Sequence, residues 1–184
     1  LERVQKSGAR FDPEKTKWFN QQYLQISTAA KILPEFKKGV LAAFGAAAVE
    51  NKSDHVLETI IDLVKERAAF THELIELSAY FFVDPTSYDQ KALKKQWKEN
   101  TPQIIAALTE IIKGQTDFSS ASLELTIKNY IAEQSLSFGA VMPPLRLALV
   151  GALSGPHVFD IMEVLGKDRC IERILALENA AKDL

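Results

Sequence analysis

At 184 residues the chain has room for one generous domain or two small ones, and 47% hydrophobic with 25% charged residues is the balance of an ordinary globular protein. No window approaches the ~18 successive apolar residues that a membrane-spanning helix needs, and none of the usual disorder signals is present. A net charge of −2 excludes a protein that coats nucleic acid through bulk basic excess, so any nucleic-acid contact has to be local.

A single cysteine, Cys170, rules out an internal disulfide and fits a reducing, cytoplasmic setting. The chain opens Leu1-Glu2-Arg3 with no basic stretch leading into an apolar signal core, which predicts a piece of a larger protein and not a secreted one. Residues 1–38 carry eight basic residues (Arg3, Lys6, Arg10, Lys15, Lys17, Lys31, Lys37, Lys38) against four acidic (Glu2, Asp12, Glu14, Glu35), an excess of four. Such an excess suits a phosphate footprint, and solvated helix faces look similar.

Helix signals recur along the whole sequence and no segment shows strand alternation, so the fold class is all-α. Asp12-Pro13 pairs a capping acid with a proline at the first helical position and opens a helix through Trp18, Phe19 and Tyr23. Those three aromatics follow helical spacing and are expected in the core rather than on a base-stacking platform. A second start is expected at Ser27, and Pro34 should break or kink that helix before it resumes through Ala42 to Ala48. Ser53 caps the clearest amphipathic helix, with Val56, Leu57, Ile60, Ile61, Leu63 and Val64 on one arc. Another helix runs from about Thr71 to Phe82.

Asp84-Pro85-Thr86-Ser87 is a turn signal, and the domain boundary is placed there: residues 1–84 as one helical-bundle subdomain, residues 85–184 as a second. Ser87 to Gln90 has capping-box spacing and should start a helix through Trp97. Thr101-Pro102 and Gly114 bracket the next helix, and Ser119 or Ser120 begins another. Pro143-Pro144 should start a short helix to Gly151. A Ser154-Gly155-Pro156 turn, a helix to Leu165 and a last helix to about Ala180 complete the chain.

Enzyme signatures are missing. There is no glycine-rich phosphate loop, and His55, His72 and His157 do not fall at metal-ligand spacing. His72, Glu73 and Glu76 share a helix, which an exposed acidic face explains as well as a general acid–base pair would. Two arginines stand out. Counting ~100° per residue from Val56 puts Arg67 near Ile60, inside the apolar arc. A cation closing a helix and paired by a carboxylate would account for it, and so would a donor fork aimed at a partner's base edges or phosphates. Arg146 is the only formally charged residue between Glu133 and Asp160. It either pairs with an acid of another helix or points outward as a donor near a helix start.

Two stretches resemble glutamyl-tRNA synthetases. One is Phe11-Asp12-Pro13-Glu14-Lys15 with Lys17-Trp18-Phe19-Asn20-Gln21-Gln22-Tyr23, similar to the segment after that family's stem-contact region. The other runs from Met142-Pro143-Pro144-Leu145-Arg146 through Gly155, Pro156, Phe159 and Ile161-Met162-Glu163-Val164-Leu165-Gly166-Lys167, similar to the family's last domain. The resemblance implies the two helical subdomains that grip the anticodon arm of glutamate tRNA. The intact protein would be a class I ligase that uses ATP and Mg2+ on an amino-terminal catalytic domain, whose signatures do not occur in these residues. It further implies a cytoplasmic, monomeric protein with no cofactor in this part and no membrane contact.

By the same likeness Arg67 falls where discriminating members of the family carry the arginine that reads the third anticodon base, and Arg146 falls where an arginine contacts the anticodon loop. The variant of this reading is a non-discriminating member that also charges glutamine tRNA. Gly155, Pro156, His157 and Val158 fall on the loop-contacting segment. Gly155 and His157 depart from the family's residues at their places, which leaves backbone contacts there. The rival reading is a helical protein-interaction module, and a free-standing enzyme is a further one.

Overall fold

Asp12 opens the first helix by accepting hydrogen bonds from the backbone N–H groups of Glu14 and Lys15 at 3.1 and 3.2 Å, with Pro13 at the first helical position. It is also the first described residue: the structure is a computed structural model that describes residues 12–183. Arg3, Lys6 and Arg10 of the basic amino-terminal stretch lie outside the described residues.

Among the described residues every regular element is helical. In chain order these are α1 (Pro13–Ile26), α2 (Ala29–Phe44), α3 (Ala46–Glu50), α4 (Asp54–Val64), α5 (Glu73–Ser78), α6 (Gln90–Gln96), α7 (Thr101–Gly114), α8 (Ser120–Glu133), α9 (Phe138–Val150), α10 (Val158–Leu165) and α11 (Lys167–Ala180), with short 3-10 turns after α4, α5 and α11.

Several starts lie a residue or more from where the sequence puts them. Thr28, not Ser27, precedes α2, and Ser27 instead terminates α1. α2 runs through Pro34 without interruption because Ile32, Leu33, Phe36 and Val40 bury one face of it. Fully burying a side chain of that size gains about 1.5–3 kcal/mol, so four of them outweigh the roughly 3 kcal/mol an interior proline costs. Ser53 caps α4 as predicted, its Oγ accepting from Val56 N at 3.3 Å, and Leu57, Ile60, Ile61 and Val64 are fully buried. Asp89 takes the capping role expected of Ser87, accepting from Ala92 N at 2.9 Å. A side chain adjacent to the first helical residue reaches the free N–H groups directly, whereas Ser87 lies two residues too early. Asn100 precedes α7, one residue ahead of the expected threonine.

α2 packs on α3, α4 and α5, while α11 packs on α7 and α9 and α7 packs on α8 and α9. α10 bridges the two sets, touching α8, α9 and α11 on one side and α4 and the 3-10 turn Ala79–Phe81 on the other. One apolar cluster runs through both, from Phe36 and Leu57 through Phe81 to Leu108, Phe159 and Leu177. Cys170 lies inside it. Its thiol donates to the Met162 carbonyl at 3.7 Å, and burial pushes it up to about 12, so it stays protonated and unreactive at neutral pH.

The expected core position of Trp18, Phe19 and Tyr23 is not what the structure shows. They are exposed by 55, 55 and 52%, and Ile26 by 80%. Only Leu24 of α1 is buried, because α1 rests on the 3-10 turn Lys65–Arg67 through its opposite side. Helical spacing marks these residues as one face but says nothing about what covers it.

The joint between the two sets is made by polar groups. Arg173, 2% exposed, donates from Nε to Asp84 Oδ1 at 2.7 Å, from Nη2 to the carbonyls of Tyr80 and Val83 at 2.6 and 3.2 Å, and from Nη1 to the Leu149 carbonyl. Arg169 adds Asp84 at 2.8 Å and the carbonyls of Phe81 and Phe82 at 3.1 and 3.0 Å. Burial pushes the Asp84 carboxyl up, but hydrogen bonds from Arg169 and Arg173 outweigh it and hold it below the usual carboxylate range. A depressed folded value means that Asp84 stabilises the fold above the ordinary carboxylate range and that this contribution is lost as pH falls through the folded value.

Arg173→Met keeps the aliphatic stem and strands three carbonyls. It should lower the unfolding free energy by about 3 kcal/mol, and the melting temperature by roughly 6–12 °C in a circular-dichroism melt at this chain size. Asp84→Asn should cost much less, since the Asp84 side chain is 59% exposed. A melting temperature for Arg173→Met equal to that of the original chain would show that the carbonyls find other donors.

Candidate functional site

α4 gives way to a 3-10 turn at Lys65–Arg67, and the two residues after it, Ala68 and Ala69, are buried. The next turn is closed by Glu73, whose carboxylate accepts from Ala69 N at 2.6 Å and Phe70 N at 3.2 Å. The hydrogen bond from Ala69 is the largest reason that this carboxyl sits below its ordinary range. Glu73 is therefore engaged in the backbone, and His72 stacks on Phe70 at 5.6 Å, so the trio of His72, Glu73 and Glu76 forms no acid–base pair.

Arg67 does not lie in the apolar arc. It is exposed at the end of the 3-10 turn. A 3-10 turn advances about 120° per residue instead of 100°, so three such residues carry Arg67 about 60° beyond its α-helical position. A count at the α-helical angle carries the helix on to its end unchanged, which is why it puts the guanidinium inside.

Arg146 does not follow a proline-fixed helix start either. α9 begins at Phe138 and contains Pro143 and Pro144, so Arg146 sits in its second half, among the fully buried Leu145, Leu147, Ala148 and Leu149. The paired prolines look like a first turn because that is where proline is best tolerated. Here the apolar packing of α9 on α7 and α11 holds the helix through them.

The structure brings Arg146 to Gly155 and Tyr80. A Cβ built on Gly155 would stand 3.0 Å from Arg146 Nη1 and 3.9 Å from the Tyr80 hydroxyl. Gly155 has φ +141°, a conformation that side chains disfavour, so glycine is required twice over at this position. Both Arg146 Nη1 and Tyr80 Oη are shielded from solvent, and neither has a hydrogen-bond partner among the described residues.

Burial pushes the Tyr80 phenol up to about 12, against a smaller opposing effect of Arg146 and then Arg67. Burial also draws the Arg146 guanidinium below its ordinary value, with Tyr80 opposing and Arg67 adding repulsion. Arg67 itself is exposed at the end of its 3-10 turn. Among the described residues no carboxylate stands within ion-pair distance of either guanidinium. The ion pair that would have explained either arginine is absent there.

The other expected residues are placed differently. His157, at the start of α10, faces Glu124 at 4.0 Å and Asp160 at 3.9 Å. Val158 is 1% exposed, so its side chain belongs to the core and only its backbone is available to a partner. Pro156 is half-buried in the same turn. Of the basic amino-terminal residues, Lys37 pairs with Asp54 at 2.5 Å and Lys38 with Glu35 at 3.8 Å, while Lys15 and Lys31 lie over Phe19 and Tyr23. These lysines are locally engaged and do not converge with Arg67 and Arg146.

Sequence reasoning missed Tyr80, which reads as one more apolar residue at a helix end. It also missed Arg173, although Cys170, Arg173, Ile174 and Leu177 share the buried stripe of α11 and an arginine in such a stripe is a signal in itself. Residues able to hold a metal do not cluster among the described residues.

Gly155→Ala should cost about 1–3 kcal/mol through its backbone conformation alone, read as a shift in the urea midpoint at unchanged slope. An unmoved midpoint would show that the turn relaxes freely around Arg146.

Three comparisons with known proteins agree on what this arrangement belongs to. A family model described as an anticodon binding domain matches residues 27–177. A glutamate–tRNA ligase of Flavobacterium psychrophilum is 45% identical over 174 residues, covering 95% of this chain and 34% of that protein. One from Porphyromonas gingivalis is 43% identical, with 95 and 34% covered. The crystal structure of a glutamate tRNA ligase from Elizabethkingia meningosepticum superposes with a TM-score of 0.85 at 43% identity, over 96% of this chain and 34% of that one. The chain spans about a third of the length of these relatives. On this footing the chain belongs to the glutamate–tRNA ligase family and corresponds to that family's anticodon-binding region.

Proposed function

We propose that this chain binds the anticodon loop of glutamate tRNA, with Arg67 and Arg146 donating to unstacked bases or phosphates and the turn Gly155, Pro156, His157 and Val158 supplying mainly backbone contacts. The observation that carries this reading is a half-buried Arg146 beside Tyr80 and the Gly155 turn, with one shielded nitrogen that has no partner and no carboxylate within ion-pair distance of it or of the exposed Arg67 among the described residues. Single-stranded loops are read by such fixed donors aimed at splayed bases. Within the reading, residues 1–84 and 85–184 act as two helical subdomains, and the site lies where they meet.

The whole protein is, in this reading, a cytoplasmic, monomeric ligase that joins glutamate to its tRNA using ATP and Mg2+ on a catalytic domain ahead of this region. Its relatives carry roughly twice as much additional chain as is matched here, and the exposed face of Trp18, Phe19, Tyr23 and Ile26 on α1 is where we place the contact with it. Nothing observed favours a protein-interaction module at the arginine pair.

Arg146→Ala should weaken binding of a glutamate-tRNA anticodon arm by about 1–3 kcal/mol while leaving the melting temperature nearly unchanged. A collapsed melting temperature with normal binding by the folded remainder would make Arg146 a packing residue. For Arg67 the informative readout is selectivity. Its guanidinium offers only donors, which match the O2 and N3 acceptors of cytosine and oppose the N1–H and amino group of guanine. Arg67→Gln in the intact ligase should therefore shift the ratio of kcat/KM for tRNAs with cytosine and guanine at the third anticodon position by about tenfold to a hundredfold. Equal losses on both tRNAs would reduce Arg67 to general phosphate attraction.

A further inference from the structure

α6 is a seven-residue helix that packs on α9, with Ala92 and Leu93 buried. Its start is tied to the end of α9 by a hydrogen bond from Asp89 N to the Gly151 carbonyl at 2.9 Å. Lys91, Lys94 and Lys95, spaced three and four residues apart, share the face opposite Ala92 and Leu93, and all three are exposed. Lys98, just past the helix end at Trp97, is exposed as well.

Among the described residues no carboxylate stands within ion-pair distance of any of these ammonium groups. Elsewhere lysines find partners: Lys37, Lys65 and Lys128 pair with acids, Lys52 lies over the Phe82 ring, and Lys167 donates to the Lys113 and Gln115 carbonyls. Of the adjoining acids, Asp89 is engaged in capping Ala92 N, and Glu99 is exposed in the turn after the helix.

Helix stability does not account for this stripe. Lys94 and Lys95 in the last turn suit the negative end of the helix dipole, but Lys91 in the first turn opposes the positive end. Lys91 also lies three and four residues from two further cations, and like charges at that spacing destabilise a helix. On local grounds an acid would serve better at this position.

We propose that α6 is a phosphate-binding strip for the tRNA backbone, with Lys91, Lys94 and Lys95 meeting phosphates outside the anticodon loop and Lys98 extending the strip. The inference rests on the reading of this chain as a tRNA-binding region, and it concerns affinity without base readout. An ammonium is a hydrated point charge that meets a phosphate at many angles and carries no sequence information. A chain of net charge −2 does not draw in a polyanion as a whole, so attraction has to come from a local strip of this kind. The packing of α6 on α9 holds the strip in a fixed relation to Arg146, which α9 carries.

The test measures binding of glutamate tRNA to the intact ligase at about 50 to 200 mM salt, for a variant that combines Lys91→Gln, Lys94→Gln and Lys95→Gln. A charge-matched control combines Lys37→Gln, Lys38→Gln and Lys113→Gln, lysines that are each paired with an acid. Each phosphate contact contributes about 0.7–0.9 to the slope of log affinity against log salt. The α6 variant should therefore lower that slope by about two, weaken binding about tenfold or more at the lower salt, and lose most of that difference at the higher. The ratio of kcat/KM for tRNAs with cytosine and guanine at the third anticodon position should not move, and arginine at the same three positions should restore the slope. An equal slope change in the control would reduce the effect to net charge and overturn the inference. So would an unchanged slope in the α6 variant while Arg146→Ala still weakens binding, which leaves the anticodon reading standing and assigns the strip to an acidic protein surface. A lowered slope beside an ineffective Arg146→Ala would keep the strip and remove the arginine contact, and failure of the original protein to bind glutamate tRNA would remove both.

Discussion

The guanidinium of Arg173 is the interaction on which the arrangement depends. Where the 3-10 turn Ala79–Phe81 ends, the carbonyls of Tyr80 and Val83 have no helical donors left, and the carbonyl of Leu149 at the end of α9 is in the same position. Leaving such groups buried without donors costs more than the bonds themselves return. A single planar cation with donors on three nitrogens meets all three carbonyls and one carboxylate at once. Because the carbonyls come from both sets of helices, the same contact fixes how α5 and its adjoining turn stand against α9 and α11. It thereby sets the distance between Tyr80, carried by one side, and Arg146 and Gly155, carried by the other.

Arg173 and Arg146 meet the cost of burial in different ways. Both are drawn below the ordinary arginine value, and in both cases burial is the leading cause. Arg173 recovers that desolvation through Asp84 and three carbonyl contacts. Arg146 has instead a neutral phenol nearby, and one of its terminal nitrogens is shielded with nothing to donate to among the described residues. If Arg146 binds an acceptor as proposed, no internal bond has to break first, which lowers the cost of recognition.

The fold class was legible because amphipathic spacing and capping residues are local signals: Asp12, Ser53 and Ser119 cap where the sequence puts them. Misreadings fall where tertiary packing overrides a local rule. Pro34, Pro143 and Pro144 lie inside helices because the buried faces around them outweigh their cost, and no local rule carries that sum. At the site, Arg67 and Arg146 were visible as charges out of keeping with their surroundings. Which way Arg67 points was not, since it depends on α4 tightening into a 3-10 turn before Ala68 enters the core. Tyr80 gave no signal, because a tyrosine at the edge of an apolar run looks the same whether its hydroxyl meets solvent or a carbonyl or is shielded without a partner.

Net charge and site charge then act on different scales. With −2 overall, the chain as a whole does not attract a polyanion, and an exposed charge is screened beyond about 8–10 Å at physiological salt. What two guanidiniums can do is confined to that range, so attraction to phosphates cannot dominate as it does for strongly basic proteins. The shielded position of Arg146 and Tyr80 works in the opposite direction. Low local dielectric strengthens a donor–acceptor match and raises the penalty for donor against donor. A site built from few, partly buried donors therefore trades affinity for discrimination. That balance suits a region whose relatives carry about two-thirds of their length outside it, where further contacts can supply affinity.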